Sequence, residues 1–373
     1  MEQKLLFAAS TSMHICQFHL PYLHQLREEG WTVHAACGYE TREIPHAHRI
    51  IPLPLKKSLL SLKNLQAARD LRRLIRQEGY AAILVHTSLA AFFTRLALLG
   101  LKEHPRVINM VHGYLFDDET TLFKRKLLLL AERITAPVTD LVITMNEYDY
   151  ALATTHRLGR GIVSVPGVGV DFPRMDGQKT GHPELLREKL GIPRDAFVLL
   201  YAAEFSRRKN QQEMLKTLAL LPEQVVLVLP GMGQEHIACW RLAEKLGISH
   251  RVWFPGFLEE MGPWYEMADG VVSSSRSEGL PFHVMEAMHF ALPVVASRIK
   301  GHRDLIEDGV SGLLYDHGDS RGCARQIEKL LHDPELSRSL GQAAKEKAGQ
   351  YALEQVFPRI MELYRQALSS SGE

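Results

Sequence analysis

The 373-residue sequence is short of the features that would mark a membrane-spanning, exported or metal-clustered protein. Its longest apolar runs, such as Leu127 to Ala131 and Val225 to Leu229, fall far short of the roughly 20 residues a bilayer crossing needs. The amino-terminal stretch Leu5 to Ala9 turns polar at Ser10 to Ser12, too soon for the core of a signal peptide. Only four cysteines occur, Cys16, Cys37, Cys239 and Cys323, without metal-like spacing, and nothing in them points to export. A reducing cytoplasm is the expected location. No Asp-x-Asp pair and no His/Cys cluster with ligand spacing stands out, so no metal and no other cofactor is expected. The loop after the first apolar run, Ser10-Thr11-Ser12-Met13-His14-Ile15, has no glycine, which excludes the Gly-x-Gly-x-x-Gly fingerprint of a nicotinamide oxidoreductase. A net charge of +1 argues against general nucleic-acid binding. That charge is unevenly spread, since residues 1–175 carry +5 and residues 176–373 carry −4.

What is present is an alternation of apolar strand-like runs with amphipathic helical stretches, the pattern of parallel βαβ units. Leu5–Ala9, Thr32–Ala36, Ala82–His86, Val107–Val111 and Leu141–Thr144 read as strands of one sheet. Phe197–Ala202, Val225–Leu229, Val252–Phe254, Gly270–Ser273 and Pro293–Ala296 read as strands of a second. Residues 172–183 are polar, hold two Gly and two Pro, and read as a linker between domains 1–171 and 184–352. A final helical pattern over 353–373 is expected to return to the first domain. In open parallel sheets ligands lie beyond the carboxyl ends of the strands, so chemistry is sought just after them.

The most informative run is Ser273 to Met288. It leaves an apolar strand, turns through small polar residues and enters a helix near Pro281, where a helix amino terminus favours bound phosphate. Glu278 lies in the turn and Glu286 two helical turns on, and carboxylates suit sugar hydroxyls because they accept the hydrogen bonds that hydroxyls donate. Two glutamates eight apart are common by chance. The whole string, with Glu278-Gly279-Leu280-Pro281 and Glu286-Ala287-Met288, resembles the Glu-x7-Glu signature of the family 4 retaining glycosyltransferases, and particularly their bacterial exopolysaccharide, capsule and O-antigen branch.

That resemblance implies the α/β GT-B fold: two facing Rossmann-like, doubly wound parallel-sheet domains with a crossover helix at the carboxyl end. It implies donor binding by Ser206, Arg208 and Lys209 after one strand, with Lys209 as the phosphate-binding lysine. Ala203-Glu204 stands where many members have Gly-Arg, and Arg207 or Arg208 is the substitute cation. Gly231 resembles the glycine turn beside the donor, Gly256, Phe257 and Leu258 the segment edging the base, and Glu278, Gly279, Leu280 and Glu286 complete the donor set. His112, in Val111-His112-Gly113, resembles the residue approaching the transferred sugar, so His112, Lys209 and Glu278 are the candidate catalytic residues. Ser12 and His14 are placed on the acceptor side.

The activity so implied is transfer of a hexose or N-acetylhexosamine from a nucleotide sugar, UDP preferred to GDP, to a lipid-linked or growing polysaccharide acceptor. The acceptor hydroxyl attacks on the face from which the nucleotide leaves. Basic amphipathic stretches at Lys56, Lys57, Lys63 to Arg76 and at Lys124-Arg125-Lys126 are expected to meet an anionic membrane surface, giving peripheral association with the inner face of the cell membrane. The competing reading of either stretch is a core helix with a solvated rim. A nucleotide-sugar epimerase of similar fold and a non-catalytic nucleotide-sugar-binding relative are the alternative functions.

Overall fold

The computed structural model describes residues 3–38, 43–56, 61–117 and 120–369. The chain divides into two compact units, residues 1–168 with 356–373, and residues 169–355.

In the first unit seven strands form one parallel sheet: β1 (Lys4–Ala8), β2 (Thr32–Gly38), β3 (Arg49–Leu53), β4 (Ala82–His86), β5 (Arg106–Val111), β6 (Leu141–Thr144) and β7 (Gly161–Ser164), in the order β3-β2-β1-β4-β5-β6-β7. The central strands are apolar throughout because helices cover both faces of a parallel sheet; Leu5, Leu6 and Phe7 of β1 and Ile83, Leu84 and Val85 of β4 are fully buried. The carboxyl-terminal helix, Leu353–Ser369, buries Val356, Ile360, Met361 and Tyr364 along one face. From Val356 onward it belongs to this unit, with Arg365 paired to Glu29 at 2.6 Å and Arg359 donating to the Ser164 carbonyl at 2.7 Å.

The second unit holds β8 (Phe197–Leu200), β9 (Val225–Pro230), β10 (Val252–Gly256), β11 (Gly270–Ser273), β12 (Val294–Ser297) and β13 (Leu313–Tyr315), parallel and ordered β10-β9-β8-β11-β12-β13. Both sheets are therefore doubly wound, reversing direction between β1 and β4 in one and between β8 and β11 in the other. Each reversal leaves a crevice at the carboxyl ends of the two strands, the place where such sheets bind ligands.

Residues 172–183, expected as a linker, are more structured than their composition implies. Phe172–Asp176 is a helix capped by the Asp171 side chain; Phe172 and Met175 are buried, and Phe172 stacks on His289 of the same unit at 4.2 Å. Only two apolar side chains anchor it, too few to show a period.

Candidate active site

The second sheet's switch point carries a cluster of charged side chains. The loop after β8 brings Arg208 and Lys209 against Glu278, which follows β11. Lys209 Nζ lies 2.6 Å from Glu278 Oε1, and Arg208 Nη1 lies 2.7 Å from Oε2. The Ser275 hydroxyl donates to Oε1 at 2.6 Å, so the carboxylate accepts three charged or polar donors. The loop itself is held by backbone: Arg276 N donates to Arg208 O at 2.8 Å, and Lys209 N to Ser206 Oγ at 3.3 Å. Tyr201, fully buried, donates to the Lys209 carbonyl at 2.6 Å and meets Ser275 Oγ at 2.9 Å.

Burial alone would raise the pKa of Glu278, but the Lys209 and Arg208 charges outweigh it and hold the carboxyl well below the ordinary carboxylate range. Lys209 is pushed down by burial against the pull of Glu278, whereas Arg208 is raised by that same carboxylate. Lys209 is only 9 % exposed. Lys209 therefore belongs to the packing as well as to the site: its ammonium is one half of a buried ion pair.

Of the two candidate substitutes for the family's arginine, Arg208 is the one turned to Glu278; Arg207 lies against Glu235 at 3.5 Å. Gly231 follows β9 with a positive φ of 144°, and a Cβ there would sit 2.0 Å from the Ala203 carbonyl oxygen, so only glycine fits. Its N–H donates to Gly256 O at 2.8 Å, tying the β9 and β10 loop ends together. Phe257 is exposed and Leu258 half-buried at that rim. Gly279 and Leu280 are buried, and the helix Phe282–His289 begins just beyond them with Pro281 as its amino-terminal cap rather than within its first turn. Glu286, half-buried on that helix, accepts from the Tyr265 hydroxyl at 2.7 Å, and burial raises its pKa.

Two histidines absent from the sequence reading border this cluster. His302 Nδ1 donates to the Ser297 carbonyl at 2.7 Å, which leaves Nε2 as a bare acceptor. That nitrogen and His283 Nε2 are buried with no partner among the described residues. Burial pushes His302 down to about 4 and His283 well below the ordinary histidine value. A buried, unpaired imidazole nitrogen beside two cations is a signal that only the fold exposes.

At the first sheet's switch point the candidates assemble differently. The Ser10 and Thr11 hydroxyls are engaged locally, Ser10 Oγ with Thr87 Oγ1 at 2.6 Å and Thr11 Oγ1 capping the helix Ser12–Phe18 by accepting from His14 N at 3.2 Å. Ser12 is buried at 1 % exposure, while His14 and His112 are half-buried. His14 and His112 come together with His19 and His86, all four ligand nitrogens lying within 4.8 Å of one another. Burial pushes His14 down to about 4; it lowers His19, His86 and His112 further below the ordinary value, aided by the neighbouring rings. His112 Nε2 faces this cluster, leaving its Nδ1 edge for any sugar contact.

Comparison with known proteins agrees with this architecture. Residues 183–347 match the family model for glycosyl transferases group 1, and residues 22–171 that for glycosyltransferase family 4. EpsD of Bacillus subtilis, a protein named as a glycosyltransferase, is 34 % identical over 98 % of this chain and 97 % of its own length. LpsE of Rhizobium meliloti, named as a lipopolysaccharide core biosynthesis glycosyltransferase, is 35 % identical over 49 % of this chain and 53 % of its own. Among solved structures, Anabaena HepE in complex with UDP and glucose superposes with a TM-score of 0.78 at 20 % identity, over 98 % of this chain and all of that one. Sucrose-phosphate synthase of Thermosynechococcus elongatus gives 0.80 at 20 % identity, over 99 % of this chain and all of that one. With two doubly wound sheets, a Glu-x7-Glu helix entry and a full-length relative at this identity, the chain belongs to the family 4 glycosyltransferases of the GT-B fold.

Proposed function

We propose that this glycosyltransferase moves a hexose or N-acetylhexosamine from a UDP-sugar, with retention of anomeric configuration, to a lipid-linked or growing polysaccharide acceptor. The observation that carries the donor half is the Arg208–Glu278–Lys209 cluster at the β8/β11 switch point, whose two cations against one carboxylate leave one positive charge for a diphosphate. In transfer, the bond from the sugar's anomeric carbon to the diphosphate oxygen breaks as the acceptor oxygen bonds that carbon. The acceptor proton leaves with the departing phosphate. Lys209 and Arg208 meet the charge that develops there, aided by the amino terminus of the helix Phe282–His289. Glu278 orients both cations and accepts from sugar hydroxyls, and the bare His302 Nε2 is a further acceptor. His112 contacts the sugar through Nδ1. The UDP preference draws on the HepE complexes, and the acceptor class on the names of relatives such as LpsE. The diphosphate charge is met by side chains, so Mg2+ or Mn2+ does not stimulate transfer.

Docking to a membrane goes with such an acceptor, and one surface favours it. On the helix Leu122–Thr135, Leu128, Glu132 and Thr135 face inward, while Phe123, Leu127, Leu130 and Ile134 form an exposed stripe beside Lys124, Arg125 and Lys126. The earlier basic stretch is mostly a packing helix, Leu62–Glu78, with Ala67, Leu71 and Ile75 buried and Arg72 bonded to the Ala97 and Leu99 carbonyls; Lys57 lies outside the described residues.

The test is a screen of UDP- and GDP-sugars against detergent-solubilised lipid-linked acceptors, with the product's anomeric configuration read by NMR. Retention with a UDP-sugar is expected; inversion, or turnover with no dependence on Lys209, would overturn the reading.

A further inference from the structure

Four imidazoles converge where the first sheet reverses. His14 sits on the helix Ser12–Phe18 and His19 at its end, after β1; His86 is the last residue of β4 and His112 follows β5. Their nitrogens touch in a chain: His14 Nε2 to His19 Nε2 at 3.4 Å, His19 Nε2 to His112 Nε2 at 3.2 Å, and His112 Nε2 to His86 Nδ1 at 3.3 Å. Hydrogen bonding cannot satisfy all three contacts in full. In the ring plane each nitrogen of a neutral imidazole carries one hydrogen or one lone pair, never both. His19 Nε2 and His112 Nε2 each face two neighbours with a single hydrogen or lone pair apiece, so at most two of the three contacts are full hydrogen bonds and the third has to share groups already used.

One occupant removes the conflict. A cation at the centre takes a lone pair from every ring at once. Ligands on a tetrahedral ion with metal–nitrogen bonds of about 2.0–2.1 Å are about 3.3–3.4 Å apart, the spacing of the three touching pairs. The remaining pairs lie within 4.8 Å, a gap that small ring rotations close. All-nitrogen donors favour zinc and its first-row neighbours over Mg2+ or Ca2+, which take oxygen. His86 is already fixed for the task, fully buried and stacked on Phe7 with ring centres 4.2 Å apart.

We propose that His14, His19, His86 and His112 form a tetrahedral site for Zn2+. With four protein ligands it is closed, and its role is to clamp the loops after β1, β4 and β5 to one another. It is separate from the donor diphosphate site, whose groups all belong to the second unit.

The experiment uses the full chain without a polyhistidine tag, stripped with a chelator and titrated with Zn2+ and, separately, Co2+. One equivalent of Zn2+ retained after desalting is expected, together with a raised thermal midpoint and, for Co2+, the intense visible absorption of a tetrahedral complex that Zn2+ displaces. His14→Gln and His112→Gln, at half-buried positions that tolerate exchange, each weaken Zn2+ binding by more than about tenfold, since even second-shell losses cost 10–100-fold. His24→Gln, outside the cluster, leaves it unchanged. Less than a tenth of an equivalent bound, an octahedral Co2+ spectrum, or undiminished binding by the His14→Gln/His112→Gln double variant would overturn the site. None of these readouts depends on sugar transfer, so failure here and failure of the glycosyltransferase reading are distinguishable.

Discussion

The two sheets share a strand order around their switch points yet fill them with opposite chemistry. Between β8 and β11 the crevice holds an ionised triad, a carboxylate at bonding distance from two cations. Between β1 and β4 it holds imidazoles that burial keeps uncharged. Topology decides where a polar cluster forms, because only the loops at a reversal diverge enough to leave room. The residue types in those loops decide what the cluster binds. The triad has charge to offer an anion such as a diphosphate. The imidazoles offer lone pairs, which suit a metal or a hydroxyl.

The comparison breaks most severely if the triad proves unnecessary. Lys209→Ala removes the cation proposed to meet developing charge, and loss of a buried charge partner costs about 2–5 kcal/mol, on the order of 30- to several-thousand-fold in rate if expressed in the transition state. Because the pair is buried, the same substitution also strands Glu278, and stability falls with activity. Lys209→Met combined with Glu278→Gln separates the two effects, removing the buried ion pair at similar volume and leaving the half-exposed Arg208 as the one charge of the triad. The double variant is expected to recover thermal stability and still fail in transfer. Wild-type turnover by Lys209→Ala at both limiting and saturating donor would remove the triad from the mechanism.

How much of this contrast could be read from the sequence differs between the halves for a physical reason. The interior strands β1, β4, β6, β9 and β11 are unbroken apolar runs, legible because both faces are covered. The strands that escaped, β3, β7 and β13, are all at sheet edges. There, one side of the backbone lacks a partner strand, apolar runs are short, and β3 even tolerates Pro52. Glu278 and Glu286 were legible since both lie in one continuous run. The imidazole cluster was not, since positions 14, 19, 86 and 112 come from three separate loops and no spacing rule links them. The burial of Lys209 was hidden likewise, because its partner is 69 residues away.

Next in size is the surface electrostatics of the first unit. Basic side chains near an anionic leaflet contribute about 1 kcal/mol each, so Lys124→Gln, Arg125→Gln and Lys126→Gln together are expected to weaken binding to phosphatidylserine-containing vesicles by on the order of 100-fold at low salt. Raising ionic strength should erode the native interaction in parallel. Equal sedimentation with neutral and anionic vesicles would leave the stripe apolar in function and discard the charge contribution.

Acid titration sharpens the contrast within the second unit. His302 is neutral in the fold with its pKa lowered to about 4, so the unfolded chain binds the extra proton first as pH falls. Its contribution is therefore intact above about 6.5 and lost progressively from there toward about 4, reaching about 2 kcal/mol near pH 5 at about 1.4 kcal/mol per unit. Glu278 is also depressed, and its contribution lasts until pH falls well below the ordinary carboxylate range. Mild acid should thus unfold the protein through its imidazoles while the triad stays ionised. The check is the pH dependence of unfolding free energy from pH 7 to 5: His302→Gln should flatten the slope, and an unchanged slope would show that His302 takes up its proton alike in the folded and unfolded chain.

The smallest effect concerns the second carboxylate of the helix entry. Among the described residues no cation lies on Glu286, unlike Glu278; it accepts from the Tyr265 hydroxyl at 2.7 Å, and burial moves its pKa up rather than down. A carboxylate so placed can hold a ribose hydroxyl but can do little for a departing phosphate. Its loss should appear in nucleotide affinity before it appears in rate. Glu286→Ala deletes an acceptor worth about 1.5 kcal/mol to a hydroxyl donor, roughly tenfold in the dissociation constant for UDP. Glu286→Gln keeps an acceptor oxygen for both Tyr265 and the ribose and should lose less. Tyr265→Phe is the needed control: it frees the carboxylate without deleting it, so UDP affinity should hold or improve if Glu286 binds the ribose directly. Equal UDP affinity in all four proteins, measured by calorimetry, would assign Glu286 to packing alone and leave the triad as the sole carboxylate site at this switch point.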